Sequence, residues 1–238
     1  MSIPESSEIQ AIFDRIAPVY DDLNFWLSLG QHHVWKLMAV KWADPQPGDR
    51  GLDICCGSGD LARLLAQRVL PSGTVVGADF SAEMLAVAAS ATPPSETSWG
   101  ESIDWVEGDA LALPFSNAAF DCATMGYGLR NVIDIPRCLR EIYRVLKPGA
   151  KAAILDFHRP SQPLLQAFQQ WYLQSVVVPV SERYGLTEEY AYIMPSLERF
   201  PTGTQQAQLA VDAGFAAVHY PISGGMMGVL VVTKPEDG

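Results

Sequence analysis

The chain predicts an α/β fold: a doubly wound, mostly parallel seven-stranded sheet with an antiparallel strand at one edge and a helical lid at the N-terminus. Three features carry that expectation. Residues 51–61, GLDICCGSGDL, read as a buried strand, a glycine turn and the start of a helix. Apolar runs then alternate with helical segments as far as Phe157, the pattern of strands joined by crossover helices. The last two apolar runs, FAAVHYPI and MGVLVVTK, are joined only by SGGM, a link too short for a parallel crossover. One domain is expected over residues 1–238, with a lid at 1–45, a ligand-binding core at 50–158, a helical insertion at 160–202 and a closing helix and strand pair at 203–238.

From the N-terminus, Ile9, Ile12, Phe13 and Ile16 recur at helical spacing, and Pro18 ends that helix. The next span packs Tyr20, Phe25, Trp26 and Trp35 close together, and reads either as a lid and substrate wall or as a plain cover for one sheet face. His32 and His33 are adjacent and point different ways on a helix, which argues against a two-histidine metal site. PQPGDR turns the chain into the first strand, and LARLLAQRVL has the look of a helix. After a turn at Pro71, Ser72 and Gly73, TVVGADF is a buried strand ending at Asp79. Ser81 caps the alanine-rich helix AEMLAVAAS, and ATPPSETSWGES is a surface loop. The third strand finishes near Val106, with Asp109 and Ala110 in the loop after it; the fourth is FDCATM, with GYGLRNV at its carboxyl end. A helix from Asp134 to Leu146 stops at Lys147, Pro148 and Gly149, and KAAILDF is the fifth strand. LLQAFQQWYLQSVVVPV is an amphipathic helix too polar to span a bilayer, ERYGLTEEYAYIMPSLERFP a tyrosine-rich insertion, and Thr204 to Ala213 a helix closed by Gly214.

A formal net charge of −11 disfavours nucleic acid and gives no attraction to anionic lipid. The four cysteines form no C-x-x-C pair and fall on strands and a helix, so they are expected as reduced core thiols in a cytoplasmic protein. MSIPESSEIQ has neither the basic start nor the apolar run of a signal peptide. No window approaches the roughly eighteen uninterrupted apolar residues of a spanning helix.

Gly57, Gly59 and Ala62 fit the spacing of a dinucleotide-binding turn, with Asp79 at about the distance where an acid takes a ribose hydroxyl pair. Nicotinamide and flavin cofactors therefore come into consideration. Asp53 before the turn and Asp60 just inside the helix would repel a pyrophosphate. S-adenosylmethionine, with a sulfonium and an ammonium and no phosphate, suits an acid-flanked glycine turn better.

LDICCGSGD, GADFSAEML, GDALALPF, FDCATMGYGLRNV, REIYRVLKPG and YAYIMPS resemble, in that order, segments of the ubiquinone/menaquinone biosynthesis C-methyltransferase family. The likeness runs from about Phe13 to Gly224 and Gly225. The glycine and GDA motifs occur across S-adenosylmethionine methyltransferases, whereas GLRNV with LPF before it and RVLKPG after it is much more specific to the quinone branch. Ser58 stands where many members have threonine and Gly126 where some have serine. Asp156-Phe157-His158-Arg159-Pro160 replaces a glutamate, phenylalanine and serine of many members; this form is similar to the cyanobacterial and plant members that methylate demethylphylloquinone.

The resemblance implies the class I methyltransferase fold, S-adenosyl-L-methionine as cofactor and no metal. It places Asp79 on the ribose hydroxyls with Phe80 beside it, Asp109 on the adenine amino group and the Ala110 backbone on a ring nitrogen. Gly57, Ser58 and Gly59 line the methionine part, Asp53 stands near its ammonium group, and Gly126 completes the cofactor wall. The expected substrate is a prenylated, most simply phytyl, naphthoquinol in its reduced form, since an oxidised ring is electrophilic and does not attack a methyl sulfonium.

Arg130 is expected to stabilise the developing phenolate, Asn131 to orient an oxygen or a water, and Tyr20 to make a third contact. His158 is a second candidate base, set against an Arg130 that stays charged. Leu164 to Phe200, with Trp171, Tyr172, Tyr184, Tyr190 and Tyr192, either holds the isoprenoid tail or caps the sheet edge. A long tail implies weak peripheral contact with a membrane. A menaquinone or ubiquinone precursor enzyme, a small-molecule O- or N-methyltransferase, an NAD-linked reductase and a non-catalytic S-adenosylmethionine-binding module are the competing readings.

Overall fold

The structure, a computed structural model, describes residues 6–20, 25, 28, 30–91, 102–182 and 193–236. Strands β1 (Arg50–Ile54), β2 (Thr74–Asp79), β3 (Ile103–Glu107), β4 (Phe120–Gly126) and β5 (Leu146–Phe157) are parallel, and β6 (Ala216–Ile222) and β7 (Met227–Thr233) complete one sheet in the order β3-β2-β1-β4-β5-β7-β6. The chain winds outward from β1 to β3, then returns past β1 to β4. That reversal opens a crevice at the carboxyl ends of β1 and β4, where ligands bind in folds of this kind. The sheet ends in an antiparallel pair, as the short SGGM link requires. Within it β7 is the reversed strand, paired to β5 and β6, and β6 forms the edge. The burial of the two strands matches: β7 is almost wholly buried and β6 alternates.

The helices are α1 (Ser6–Ile16), α2 (His32–Ala43), α3 (Asp60–Val69), α4 (Ala82–Ala91), α5 (Ile135–Val145), α6 (Pro163–Tyr172), α7 (Val178–Glu182), α8 (Ile193–Arg199) and α9 (Gly203–Asp212). Apolar spacing decides which face each one buries. Leu61, Leu65 and Val69 of α3 pack with Ala39, Val40 and Ala43 of α2 on one side of the sheet. Leu139 and Ile142 of α5 pack against Leu52, Ile54 and Met125 on the other. Asp134 caps α5, its carboxylate accepting from the Arg137 N–H at 2.9 Å. A third cluster joins Ile16 and Ala17 to Met84, Leu173, Val177 and Leu197, so α1 meets the insertion above the carboxyl ends of the strands. The two N-terminal helices thus divide the expected roles: α2 covers a sheet face and α1 overhangs the crevice.

Two boundaries differ from expectation. The helix after Asp134 ends at Val145, and β5 already begins at Leu146, because Leu146 pairs with Phe120 before a register shift at Pro148 and Gly149. Second, α6 passes into a π-helical turn at Leu173–Val177 before α7. Trp26, Tyr184, Tyr190 and Tyr192 lie outside the described residues. No helix among the described residues is long and apolar enough to cross a membrane. All four cysteines are free thiols, and burial pushes Cys122 and Cys138 up to about 12.

Candidate active site

The turn after β1 is pinned to β2. Cys56 donates its N–H to the Ala78 carbonyl at 3.0 Å, and Gly57 donates its N–H to Asp79 Oδ2 at 2.8 Å. The other carboxylate oxygen of Asp79 accepts from the Ser81 N–H at 3.0 Å. Burial pushes the Asp79 carboxyl up, and these N–H groups oppose the shift. From the next strand, Gly108 donates to the Asp79 carbonyl at 2.9 Å, and Asp109 Oδ1 accepts from the Leu111 N–H at 2.8 Å. Helix α1 is tied over this corner: Gln10 Nε2 donates to the Phe80 carbonyl at 2.7 Å, and Ser81 Oγ donates to Asp14 at 2.5 Å.

These contacts enclose a cavity lined by Phe13, Tyr20, Gly57, Asp79, Phe80, Asp109, Ala110, Gly126, Tyr127 and Asn131, among others. Its described lining carries two acids and no lysine or arginine. On its far side Asn131 donates Nδ2 to the Tyr127 carbonyl at 2.9 Å, while Asn131 Oδ1 and the Tyr127 hydroxyl have no partner although both are buried. Groups buried in this state are costly unless something pairs with them. A ligand rich in polar groups, cationic and free of phosphate fits such a lining; S-adenosylmethionine is that kind of molecule.

Four expected site residues stand elsewhere. Asp53 lies behind the turn, fully buried, with Oδ1 accepting from Thr124 Oγ1 at 2.8 Å and Oδ2 unpaired. Burial pushes its carboxyl up to about 7. Ser58 is buried off the lining. Gly59, at φ 86°, makes room not for a ligand but for Trp105: a Cβ there would stand 2.4 Å from the indole Cη2. Arg130 turns away from the cavity and forms a buried ion pair with Asp156, with Nε donating to Ser196 Oγ at 2.9 Å. Asp156 is held from three directions, since it also accepts the backbone N–H of Arg130 at 2.9 Å and of Phe157 at 2.8 Å. Burial pushes its carboxyl up and the guanidinium opposes the shift; the pair remains ionic, because a guanidinium does not give up its proton.

Two further expectations are corrected. Asp60 is not an uncompensated repeller of anions, since Lys36 Nζ and Arg63 each stand 2.6 Å from its carboxylate and hold it down to about 2. The preference for a cationic ligand rests instead on Asp79, Asp109 and the absence of basic side chains from the described lining. His158 faces another groove, its Nε2 3.2 Å from His219 Nε2, and burial pushes it down to about 3. It is not placed to serve as base at this cavity.

A second, apolar cavity is walled in part by the Leu164–Phe200 insertion, which the sequence offered as a holder of the isoprenoid tail; its walls from other segments were not foreseen. It is lined by Trp35, Phe157, Phe168, Tyr172, Leu173, Ile193, Leu197, Met226 and Met227, with Ser28, Gln31, Gln169 and Ser223 as its polar members. Tyr127, on the first cavity, stacks on Phe157, on the second, with ring centroids 5.2 Å apart. The Arg130 guanidinium lies 5.4 Å from the same Phe157 ring. The signal for this cavity was the run of apolar and amide residues from Pro163, but its other walls come from four other segments.

A family model described as the ubiE/COQ5 methyltransferase family matches residues 1–234. The chain is 60% identical over 233 residues to the 2-phytyl-1,4-naphtoquinone methyltransferase of Trichormus variabilis, spanning 96% of this chain and 100% of that protein. Its identity to the protein of that name from Nostoc punctiforme is 62%, and to the chloroplastic 2-phytyl-1,4-beta-naphthoquinone methyltransferase of Arabidopsis thaliana 51%, over 96% of this chain and 88% of that one. Among solved structures, a SAM-dependent methyltransferase from Thermotoga maritima superposes with a TM-score of 0.65 at 22% identity, covering 95% of this chain and 99% of that one. One from Aquifex aeolicus gives 0.60 at 17%, over 83% and 88%. At these identities the two structures speak for the fold alone.

Proposed function

The chain belongs to the ubiE/COQ5 methyltransferase family and is an S-adenosylmethionine-dependent methyltransferase; from that premise we propose that it methylates a ring carbon of a reduced, phytyl-bearing naphthoquinol. The observation that carries the reading is the pair of cavities sharing one aromatic wall. An acidic, polar cavity suits the cofactor, an apolar one suits an isoprenoid tail, and a ring held at the Tyr127–Phe157 partition reaches from one to the other. The names of the relatives support the same substrate class.

Bound in the first cavity, S-adenosylmethionine supplies an electrophilic methyl group. What the chain must add is alignment and support for the phenolate that forms as a quinol hydroxyl loses its proton. Asn131 Oδ1 is a buried acceptor without a partner, placed to hold that hydroxyl or the water that takes its proton. The Tyr127 hydroxyl, also unpartnered, donates to the oxyanion; burial pushes its own pKa up, so it remains a donor throughout. Tyr20 stands over the glycine turn, its ring carbon 3.6 Å from where a Gly57 Cβ would stand. Arg130 acts as a positioning residue: its N–H and guanidinium fix the 3-10 turn Leu129–Asn131 to Asp156 and so set Asn131 in place. Asp79 holds the ribose hydroxyls and Asp109 the adenine amino group. Since such a substrate resides in lipid, the reading includes peripheral contact with a membrane.

Transfer of a radiolabelled methyl group to a panel of oxidised and reduced prenylquinones tests the proposal. Label is expected in reduced demethylphylloquinol, with less in a benzoquinol or a differently tailed naphthoquinol. Equal labelling of the oxidised ring, or labelling only of a ubiquinone or menaquinone precursor, would overturn it.

A further inference from the structure

Of the outer face of α6, only Phe168 belongs to the site described above. Leu164, Phe168 and Trp171 recur one turn apart and are 81%, 48% and 56% exposed. The opposite side anchors the helix, with Gln169 Nε2 donating to the His158 carbonyl at 2.8 Å and Gln166 Nε2 to the Pro160 carbonyl at 2.7 Å. Single exposed apolar side chains need no explanation; a stripe of three on one helix does.

Two observations say what covers it. The stripe runs into the apolar cavity, for Phe168 sits 6.0 Å from Trp171 on the outside and stacks at 6.2 Å on Tyr172, which with Phe168 lines the cavity. Charge gives the second. Residues 161–181 contain no aspartate, glutamate, lysine or arginine in a chain of net charge −11, so this is a neutral window in an acidic molecule. Tryptophan and tyrosine rings favour the headgroup boundary of a bilayer. At 10 residues, or about 15 Å, α6 is far too short to span but suited to lie in the interface.

We propose that this face of α6 docks on a lipid bilayer, lowering Leu164 and Trp171 into the headgroup boundary so that the quinol tail enters the cavity past Phe168 without crossing water. The inference rests on the phytyl-naphthoquinol reading of the site and names the surface through which that substrate arrives. A second copy of the chain is a poorer occupant, since three partly exposed side chains present roughly 300 Å² where a stable dimer buries about 800 Å² per partner.

The test uses the full chain and the double variant Leu164→Glu/Trp171→Glu, both residues being off the cavity lining. With phosphatidylcholine vesicles, wild type is expected to co-float and the variant to show a tenfold smaller bound fraction. Methyl transfer to a short-tailed, water-soluble naphthoquinol should be the same for both proteins, whereas transfer to demethylphylloquinol embedded in the vesicles should fall at least tenfold in the variant. Equal flotation and equal turnover of the embedded substrate would overturn the proposal. So would sedimentation showing a wild-type dimer that the variant turns into a monomer. If neither protein methylates any naphthoquinol, the substrate reading has failed, and the flotation difference decides the docking face by itself.

Discussion

Arg130 illustrates how a single side chain changes role once its partners are known. As the cation of a GLRNV segment it reads as an oxyanion stabiliser, yet its charge is matched by Asp156 inside the protein. A compensated charge exerts little field beyond its partner, so in the proposed reaction its influence passes through Asn131. Truncation makes this measurable. Arg130→Ala leaves a buried carboxylate unpaired, which typically costs about 3–5 kcal/mol, whereas replacing both members with apolar residues of similar volume costs far less. Urea unfolding of Arg130→Ala and of Arg130→Met/Asp156→Leu is expected to show the single variant as the less stable. A single variant as stable as wild type would mean that the ion pair is not what holds this turn. The unpaired acceptor of Asn131 is a different kind of residue, set ready by the fold and satisfied by nothing in it.

Among the elements, the glycine turn carries the most meaning per residue, and its two glycines do different things. Gly57 borders the cavity, while Gly59 gives way to Trp105 of β3, as does Gly77 of β2, where a Cβ would also stand 2.4 Å from the indole. Gly59→Ala therefore combines a left-handed backbone penalty of about 1–2 kcal/mol with a steric clash. In a Trp105→Leu background most of the clash should vanish, leaving the backbone penalty and a tight 3.1 Å approach to the Ala88 Cβ. Measuring the four proteins by urea unfolding gives the coupling; strictly additive effects would show that the indole does not fix the turn. Here lies the boundary of what was legible in the chain. Strand, turn and helix at 51–61 were legible because apolar spacing and glycines act locally, and Asp79 and Asp109 because strand ends mark the crevice. Trp105 over Gly59, Lys36 on Asp60 and Ser196 on Arg130 were not, because each is made by packing between segments 24 to 66 residues apart in the chain. Lys147, Pro148 and Gly149 misled for a related reason: breaker residues ended the helix as expected, but pairing of Leu146 with Phe120 began the strand ahead of them.

For the molecule as a whole, the net charge of −11 and an uncharged apolar face on α6 act in opposite directions at a membrane. Apolar burial of Leu164 and Trp171 attracts the protein to any bilayer, whereas the acidic remainder is repelled by anionic headgroups. Repulsion of that kind acts across a Debye length, about 10 Å at 0.1 M salt and about 3 Å at 1 M, while the apolar term is nearly indifferent to salt. The balance yields a signature that a basic membrane-binding patch would invert. Bound fraction is expected to fall severalfold from neutral vesicles to vesicles with about one third anionic lipid at low salt, and most of that gap should close as salt rises toward 1 M. Flotation across this grid of lipid and salt checks it. Binding that grows with anionic lipid and is lost with salt would assign the contact to cationic side chains elsewhere on the surface, and would remove the neutral helix from its place at the bilayer.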